Sequence, residues 1–279
     1  MDLAEIRRLI IIALFSDDEL MEKFVLKGGN ALSLVHGIGE RSSVDIDLSI
    51  PDDFADPQAV GTRIRRALED RFETAGRKVF DFRFSRKPSR PRPIPRWGGY
   101  MAEFKLIVKE QFDDTNPAAA QRSSLLIGAG QKRIFKIDIS GFEFCAAKEE
   151  AELEAFTIYV YSLPMMALEK LRAICQQMPE YPLRPHPKAR ARDFYDIQAI
   201  VADRAIDLTT SENIALLAQI FAAKDVPLSL LAGIAGTRDF HAADWPAVRQ
   251  ATSRPLADFD FYFDFVVGIV NRLQALGVV

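Results

Sequence analysis

The chain has 279 residues, of which 48% are hydrophobic and 27% are charged, an ordinary composition for a soluble globular protein. The formal net charge of −3 excludes attraction of nucleic acid by overall charge, so a polyanionic substrate would need a local basic patch. Cys145 and Cys175 lack metal-ligand spacing and the three histidines form no cluster, which argues against a zinc site and fits a reducing cytoplasm.

The first 23 residues predict one or two helices, because Leu3, Ile6 and Ile10 recur at helical spacing. The apolar run from Leu9 to Phe15 follows two arginines, but it is too short for a signal peptide and no small-residue cleavage site follows. No stretch of the sequence reaches the length that spans a membrane. We therefore expect a soluble, cytoplasmic protein without membrane partners.

A glycine turn follows the first predicted strand. The short apolar run Phe24–Leu26 predicts that strand, Gly28 and Gly29 form the turn, and Ala31 opens a helical pattern. Free N–H groups and the helix dipole point at a ligand in such an arrangement, which makes it a cradle for anions.

Residues 43–50 alternate between polar and apolar types and predict a strand. Ser43, Asp45 and Asp47 then lie on one face of that strand. Two neighbouring carboxylates repel each other, and a divalent cation removes this cost. Mg²⁺ favours one or two carboxylates together with phosphate oxygens, so the pattern indicates metal-assisted chemistry on a nucleotide.

Hydrophobic periodicity predicts the remaining elements. In chain order they are a helix at 57–75, strands at 79–84, 100–108, 133–140 and 156–161, and helices at 164–178, 189–203, 211–224, 227–235 and 256–276. Residues 258–265 alternate like a strand, but the length of the apolar pattern favours a helix. The change of character near Pro164 predicts two domains, 1–162 and 163–279.

The segment from Arg83 to Arg96 is rich in proline and arginine, and Trp97 and Tyr100 follow closely. Arginine and aromatic side chains together suit RNA, through phosphate contacts and base stacking. A solvated surface loop is the other interpretation.

The segments 27–32 and 41–49 together resemble motif I of the DNA polymerase β-like nucleotidyltransferase superfamily. In detail they resemble the AbiEii/AbiGii toxin family, whose pattern is a Gly-Gly turn, a helix and Arg-x-Ser-x-Asp-x-Asp-Leu. The matching positions are Arg41, Ser43, Asp45, Asp47 and Leu48. The sequence departs from the pattern at Asn30, where the family has Thr or Ser, and we expect an altered triphosphate contact there.

Two later segments resemble further motifs of the family. Residues 168–173 resemble Glu-Lys-x-Arg-Ala, and residues 190–197 resemble Arg-Asp-x-x-Asp-Ile. Lys170 is the candidate that neutralises charge on the triphosphate. Arg192, Asp193 and Asp196 share one helix face and would orient that lysine or hold the nucleotide. The alternative is a pair of ordinary helix faces with intrahelical ion pairs.

The resemblance implies an α+β fold: a polymerase β-like nucleotidyltransferase core, with a mixed sheet and flanking helices, followed by a C-terminal helical domain. It implies a third acid on a later strand, for which Asp138 is the best source; the alternative is an exposed residue opposite Lys136. The implied catalytic residues are Asp45, Asp47, Asp138 and Lys170, and the three aspartates would hold two Mg²⁺ ions. The implied nucleotide-binding residues are Lys27, Gly28, Gly29, Asn30, Arg41, Ser43, Arg192 and Asp193.

The implied activity is transfer of a nucleoside monophosphate from an NTP to an acceptor, with tRNA as the expected acceptor. The protein would be the toxin of a type IV toxin–antitoxin or abortive-infection system, with a separately encoded antitoxin as partner. Three alternatives stay open at this point. The protein binds an NTP without transferring it, modifies itself or another protein, or modifies a small molecule such as an aminoglycoside.

Overall fold

The structure is a computed structural model that describes residues 1–38, 44–89, 96–127, 132–183, 186–252 and 255–279. The chain divides into two compact units. Unit 1 comprises Met1–Val35, Ser42–Cys145 and Glu149–Val160, and unit 2 comprises His36–Arg41, Ala146–Lys148 and Tyr161–Val279. The division into domains at 162/163 stays a prediction.

The body of unit 1 is a seven-stranded mixed sheet in the order β3-β4-β5-β2-β1-β7-β6. The strands are β1 (Val25–Lys27), β2 (Ile46–Ser49), β3 (Arg77–Lys87), β4 (Gly99–Val108), β5 (Phe135–Ser140), β6 (Lys148–Leu153) and β7 (Phe156–Tyr161). Strand β2 pairs antiparallel with β1 and parallel with β5, and β4 pairs antiparallel with β3 and β5. Strands β1 and β7 are parallel. The expected mixed sheet with flanking helices is therefore confirmed.

Helices make up the rest of the regular structure. They are α1 (Leu3–Phe15), α2 (Asp18–Lys23), α3 (Gly28–Asn30), α4 (Pro57–Thr74), α5 (Pro117–Ser123), α6 (Leu163–Cys175), α7 (Ala191–Asp203), α8 (Ser211–Ala222), α9 (Arg238–Ala242), α10 (Trp245–Gln250) and α11 (Phe259–Ala275). A π-helical turn, Ala31–Val35, continues α3, and Lys109–Gln111 and Leu228–Thr237 are 3₁₀-helical. Within the described residues, no helix combines the length and the apolar character that a membrane crossing requires.

The central strands have one apolar face, which fixes the side on which the polar residues lie. In β5, Phe135, Ile137 and Ile139 are buried and the residues between them are partly exposed. Helix α4 packs on unit 1 with the predicted face of Val60, Ile64, Leu68 and Phe72. The apolar residues thus form the core, and the intervening polar residues of β2 and β5 face away from it.

Unit 2 is a helical assembly around α6 and α7. Helix α6 begins where predicted, because the Ser162 hydroxyl accepts a hydrogen bond from the Met165 amide and Pro164 occupies the first turn. Phe194 of α7 is fully buried and contacts the rings of Phe259 and Phe263. The prediction of a helix for the alternating segment near residue 260 is therefore confirmed.

The fold differs from the sequence-based prediction in several places, among them the short helices α5, α9 and α10, which the sequence did not predict. Strand β6 was not predicted, because its sequence Lys-Glu-Glu-Ala-Glu-Leu carries the charges of an edge strand rather than an apolar pattern. The predicted helix at 227–235 is 3₁₀-helical, with Gly233 and Gly236 in a segment where glycine weakens an α-helix. Strand β3 runs to Lys87, beyond the predicted end at Phe84.

Candidate active site

The candidate site is built around a close contact between the glycine turn and Asp47. Gly28 follows β1 directly and has φ +71°, a conformation that glycine adopts without a steric penalty. A Cβ at Gly28 would lie 2.4 Å from Oδ2 of Asp47, so the Asp47 carboxylate packs against the glycine backbone. Asp47 is half-buried, as expected for a side chain that lies against the turn.

Strand pairing aligns three charged residues across the sheet. Lys27 of β1 is the register partner of Asp47 of β2, and Asp47 is in turn the partner of Asp138 of β5. Adjacent strands lie about 4.8 Å apart and register partners point to the same face, so the two carboxylates are neighbours. We call Lys27, Asp47 and Asp138 the polar row.

Asn30 connects the glycine turn to Asp45. Its side chain is fully buried, and its amide donates a 2.7 Å hydrogen bond to the backbone carbonyl of Asp45. The amide oxygen of Asn30 accepts a bond from the buried Arg7 guanidinium, at 3.3 Å. Lys27, not Asn30, occupies the N-cap position of α3. The Asn30 side chain thus holds the segment that carries Asp45.

The donor set fits a hard divalent cation. Asp45 is exposed and lies one residue before β2, while Asp47 and Asp138 supply paired carboxylate oxygens on neighbouring strands. Mg²⁺ is commonly held by one or two carboxylates, with substrate phosphates and water completing the octahedron. Among the described residues, no group of three or more His, Cys, Asp and Glu side chains stands ready to hold a metal ion. The paired carboxylates of Asp47 and Asp138 are oxygen donors of the kind that such a cation prefers.

The other residues predicted for this site have different surroundings. Lys27 is buried and forms a 3.6 Å ion pair with Glu143, which is itself buried. Gly29 is the second residue of α3. Arg41 and Ser43 lie outside the described residues.

The interpretation of residues 83–96 as a basic RNA-binding loop needs correction for its first part. Arg83, Arg86 and Lys87 lie on β3, and they form ion pairs with Asp81, Asp53 and Asp138 respectively. Three carboxylates, two on the sheet and Asp53 after β2, therefore neutralise these cations. The sequence pattern revealed the cations but not these partners. Arg90 to Pro95 lie outside the described residues.

The predicted helical motifs meet in a buried ionic cluster within unit 2. The Lys170 ammonium on α6 lies 3.2 Å from Asp193 and 2.7 Å from Asp196 on α7. Asp193 also accepts a hydrogen bond from Arg190. Arg192, the arginine that the sequence favoured, is exposed. The roles that the resemblance implies for Lys170, Arg192 and Asp193 stay predictions.

Charge pairing keeps the cluster ionised. Burial raises the pKa of Asp193, but the nearby Arg190 and Lys170 outweigh it and bring the pKa down to about 2. Burial lowers the pKa of Lys170, and the carboxylates of Asp196 and Asp193 outweigh it and hold the pKa above its ordinary value. An isolated buried charge would be costly, so these residues stabilise one another.

Sequence reasoning missed Arg7, Arg190 and Lys87. The sequence carried a signal for Arg7, since it lies on the apolar face of α1 between Leu3 and Ile10. A charged side chain on such a face is rarely buried unless it is paired. Arg190 stands three residues before Asp193, the spacing of an intrahelical ion pair. No local pattern marks Lys87, because its partner is distant in sequence.

The buried His241 predicts a pH-dependent stability. It is fully buried, its Nδ1 accepts a hydrogen bond from the Arg190 amide, and burial lowers its pKa from 6.5 to about 4. Between these values the unfolded chain binds a proton that the folded protein does not. The free energy of unfolding should therefore fall as the pH drops from 6.5 to 4, by roughly 3 kcal/mol for a shift of this size.

His241→Asn keeps an acceptor that does not titrate, so urea unfolding of this variant should lose that pH slope. His186→Asn, at an exposed position, is the control and should keep it. An unchanged slope in His241→Asn would contradict the assignment to this residue.

Solved structures resemble this chain. A putative nucleotidyltransferase from H. pylori is 17% identical with a TM-score of 0.50, and the match covers 98% of this chain and 96% of that one. JHP933 from Helicobacter pylori is 16% identical with a TM-score of 0.48, over 97% of this chain and 90% of that one. At 17% identity, the likeness to the putative nucleotidyltransferase from H. pylori shows a shared fold alone. No curated protein matches the sequence at a significant level.

A protein-family model matches far more of the sequence than motif I. The model is described as "Nucleotidyl transferase AbiEii toxin, Type IV TA system", and it matches residues 10–265. The match includes the glycine turn, both strands of the carboxylate pair and the helical motifs of unit 2. The chain therefore belongs to the AbiEii nucleotidyl transferase toxin family.

Proposed function

We propose that the protein transfers a nucleoside monophosphate from an NTP to the hydroxyl group of an acceptor, with release of pyrophosphate. The observation that carries the proposal is the contact of Asp47 with Gly28, next to the register pair of Asp47 and Asp138. Membership of a nucleotidyl transferase family supports it. An anion cradle and paired carboxylates at one place are what a metal–triphosphate complex needs.

The carboxylates of Asp47 and Asp138, with Asp45, would hold two Mg²⁺ ions. Bound there, Mg²⁺ supplies Lewis-acid stabilisation of the reacting phosphate and of the leaving pyrophosphate. Asn30 donates a hydrogen bond to the backbone carbonyl of Asp45. This bond holds the backbone that carries the exposed Asp45 carboxylate. Asp138 would accept the proton of the attacking hydroxyl group.

The start of α3 would bind the triphosphate. Gly28 and Gly29 are the first two residues of this helix, and the Lys27 side chain makes no capping hydrogen bond to it. The first amides of a helix and its dipole favour phosphate oxygens. Arg41 and Ser43 are proposed to contribute on the strength of the family pattern.

We propose an RNA acceptor, with tRNA as the class that the resemblance implies, and an antitoxin encoded separately. The family description supports the toxin–antitoxin setting. Because the net charge is −3, RNA binding would depend on a local patch and would weaken steeply with added salt.

Asp47→Asn should reduce transfer by about 100-fold or more, because it removes a charged oxygen from the metal site. The assay incubates the protein with labelled NTPs, Mg²⁺ and total RNA, and measures label in RNA. Asp52→Asn is the control, since Asp52 is exposed and belongs to no part of the site.

The same assay separates the alternatives. Label in the protein itself indicates protein modification, and label in an added aminoglycoside indicates a small-molecule acceptor. Tight NTP binding by the unmodified protein without any labelled product would contradict transfer and favour a nucleotide-binding module.

Gly28→Ala should impair the site more than it impairs the fold. The new Cβ would lie 2.4 Å from Oδ2 of Asp47 and displace the carboxylate, whereas Gly76→Ala, at φ +67°, meets nothing within 4 Å. Both changes introduce left-handed alanine, which costs about 1 kcal/mol of stability. Since a misplacement of about 1 Å can cost 100-fold in rate, only Gly28→Ala should lose transfer on that scale.

Thermal unfolding and the transfer assay measure the two effects on the same samples. Equal activity of Gly28→Ala and Gly76→Ala would contradict the role given to the contact with Asp47.

A further inference from the structure

Lys87 forms an ion pair with a member of the polar row. Its ammonium donates a hydrogen bond to Oδ2 of Asp138, and the two side chains are 51% and 28% exposed. Lys87 is the last residue of β3, at the edge of the sheet, and Asp138 lies on β5, two strands further in. The lysine side chain therefore crosses β4 to reach the carboxylate.

Strand β4, which the lysine crosses, begins at Gly99. Gly99 of β4 is the register partner of both Lys87 and Ser140, and Met101 is the register partner of Asp138, so the lysine reaches Asp138 diagonally across β4. A Cβ at Gly99 would lie 1.9 Å from the carbonyl oxygen of Ile139, which restricts this position to glycine. Gly99 thus allows the close approach of β4 and β5.

The contact distinguishes Lys87 from the other cations of its strand. Arg83 pairs with Asp81, and Arg86 pairs with Asp53, both outside the polar row. Of these three cations of β3, Lys87 is the one that pairs with a proposed metal-binding carboxylate. The Lys87 ammonium therefore neutralises Asp138 directly, whereas Arg83 and Arg86 neutralise other carboxylates.

We infer that Lys87 is a positioning residue that neutralises Asp138 in the metal-free protein and opposes binding of a divalent cation there. This inference rests on the proposed function of Asp47 and Asp138. A divalent cation on Asp138 and the Lys87 ammonium are like charges at the same carboxylate, and they repel each other. The ammonium therefore moves away when the cation binds, and the cost of this exchange sets the affinity for the metal.

Mn²⁺ alone is a suitable probe, because its binding can be titrated by water proton relaxation without any turnover. At low ionic strength Lys87→Met should bind Mn²⁺ about fivefold more tightly than the unmodified protein, a change on the scale of one partly exposed ion pair. The difference should shrink at high salt, where such pairs are screened. Lys87→Arg keeps a cation on the side chain and should stay close to the unmodified protein.

Arg83→Met is the matched control, because it removes the same charge from the same strand without touching Asp138. Its Mn²⁺ affinity should equal that of the unmodified protein. In an Asp138→Asn background, Lys87→Met should have no effect, which completes a double-mutant cycle for the pair. Lys87 and Arg83 are both exposed, so thermal unfolding should show that the single variants fold normally.

The experiment distinguishes failure of the inference about Lys87 from failure of the proposed function. If Mn²⁺ binding is lost in Asp47→Asn but Lys87→Met binds like the unmodified protein, the inference about Lys87 is wrong and the proposed function stands. If the unmodified protein binds no Mn²⁺, or binds it equally well after Asp47→Asn, both are wrong.

Discussion

The packing of the Asp47 carboxylate against the α-carbon of Gly28 is the constraint on which the site depends. Oδ2 of Asp47 takes the space that any Cβ at Gly28 would need, and the φ of +71° independently favours glycine. The pairing of Lys27 with Asp47 brings the turn to the carboxylate, and the pairing of β2 with β5 adds Asp138. Backbone geometry thus places the proposed triphosphate-binding turn beside two carboxylates.

Lysine side chains pair with carboxylates in both units of the molecule. In unit 1 the Lys27 ammonium lies 3.6 Å from Glu143 in a buried pair, and Lys87 binds Asp138 at the edge of the polar row. In unit 2 Lys170 lies between two carboxylates of α7. Removing one partner of a buried pair leaves an uncompensated charge, which is costly, so a ligand that displaces such a partner must compensate for the loss. Because the pair of Lys87 with Asp138 is exposed, it is the pair in which a bound metal ion can replace the lysine.

The sequence predicted the elements whose information is local. The face of α4, the alternation of β5, the N-cap at Ser162 and the helix near residue 260 each follow from periodicity or capping within a few residues. The proximity of Gly28 to Asp47 followed from the family pattern. Partners distant in sequence could not be predicted, because no local pattern specifies that Lys87 meets Asp138. Strand β6 was missed because its pairing, not its composition, makes it a strand.

The most direct measurement is the position of Mn²⁺ in crystals soaked with Mn²⁺ and a non-hydrolysable NTP, located by anomalous scattering. We expect a peak within coordination distance of carboxylate oxygens from both Asp47 and Asp138, with the triphosphate against Gly28 and Gly29 and the Lys87 ammonium moved off Asp138. A nucleotide bound elsewhere, or bound with Mn²⁺ away from both carboxylates and the contact of Lys87 with Asp138 intact, would contradict the assignment of this site.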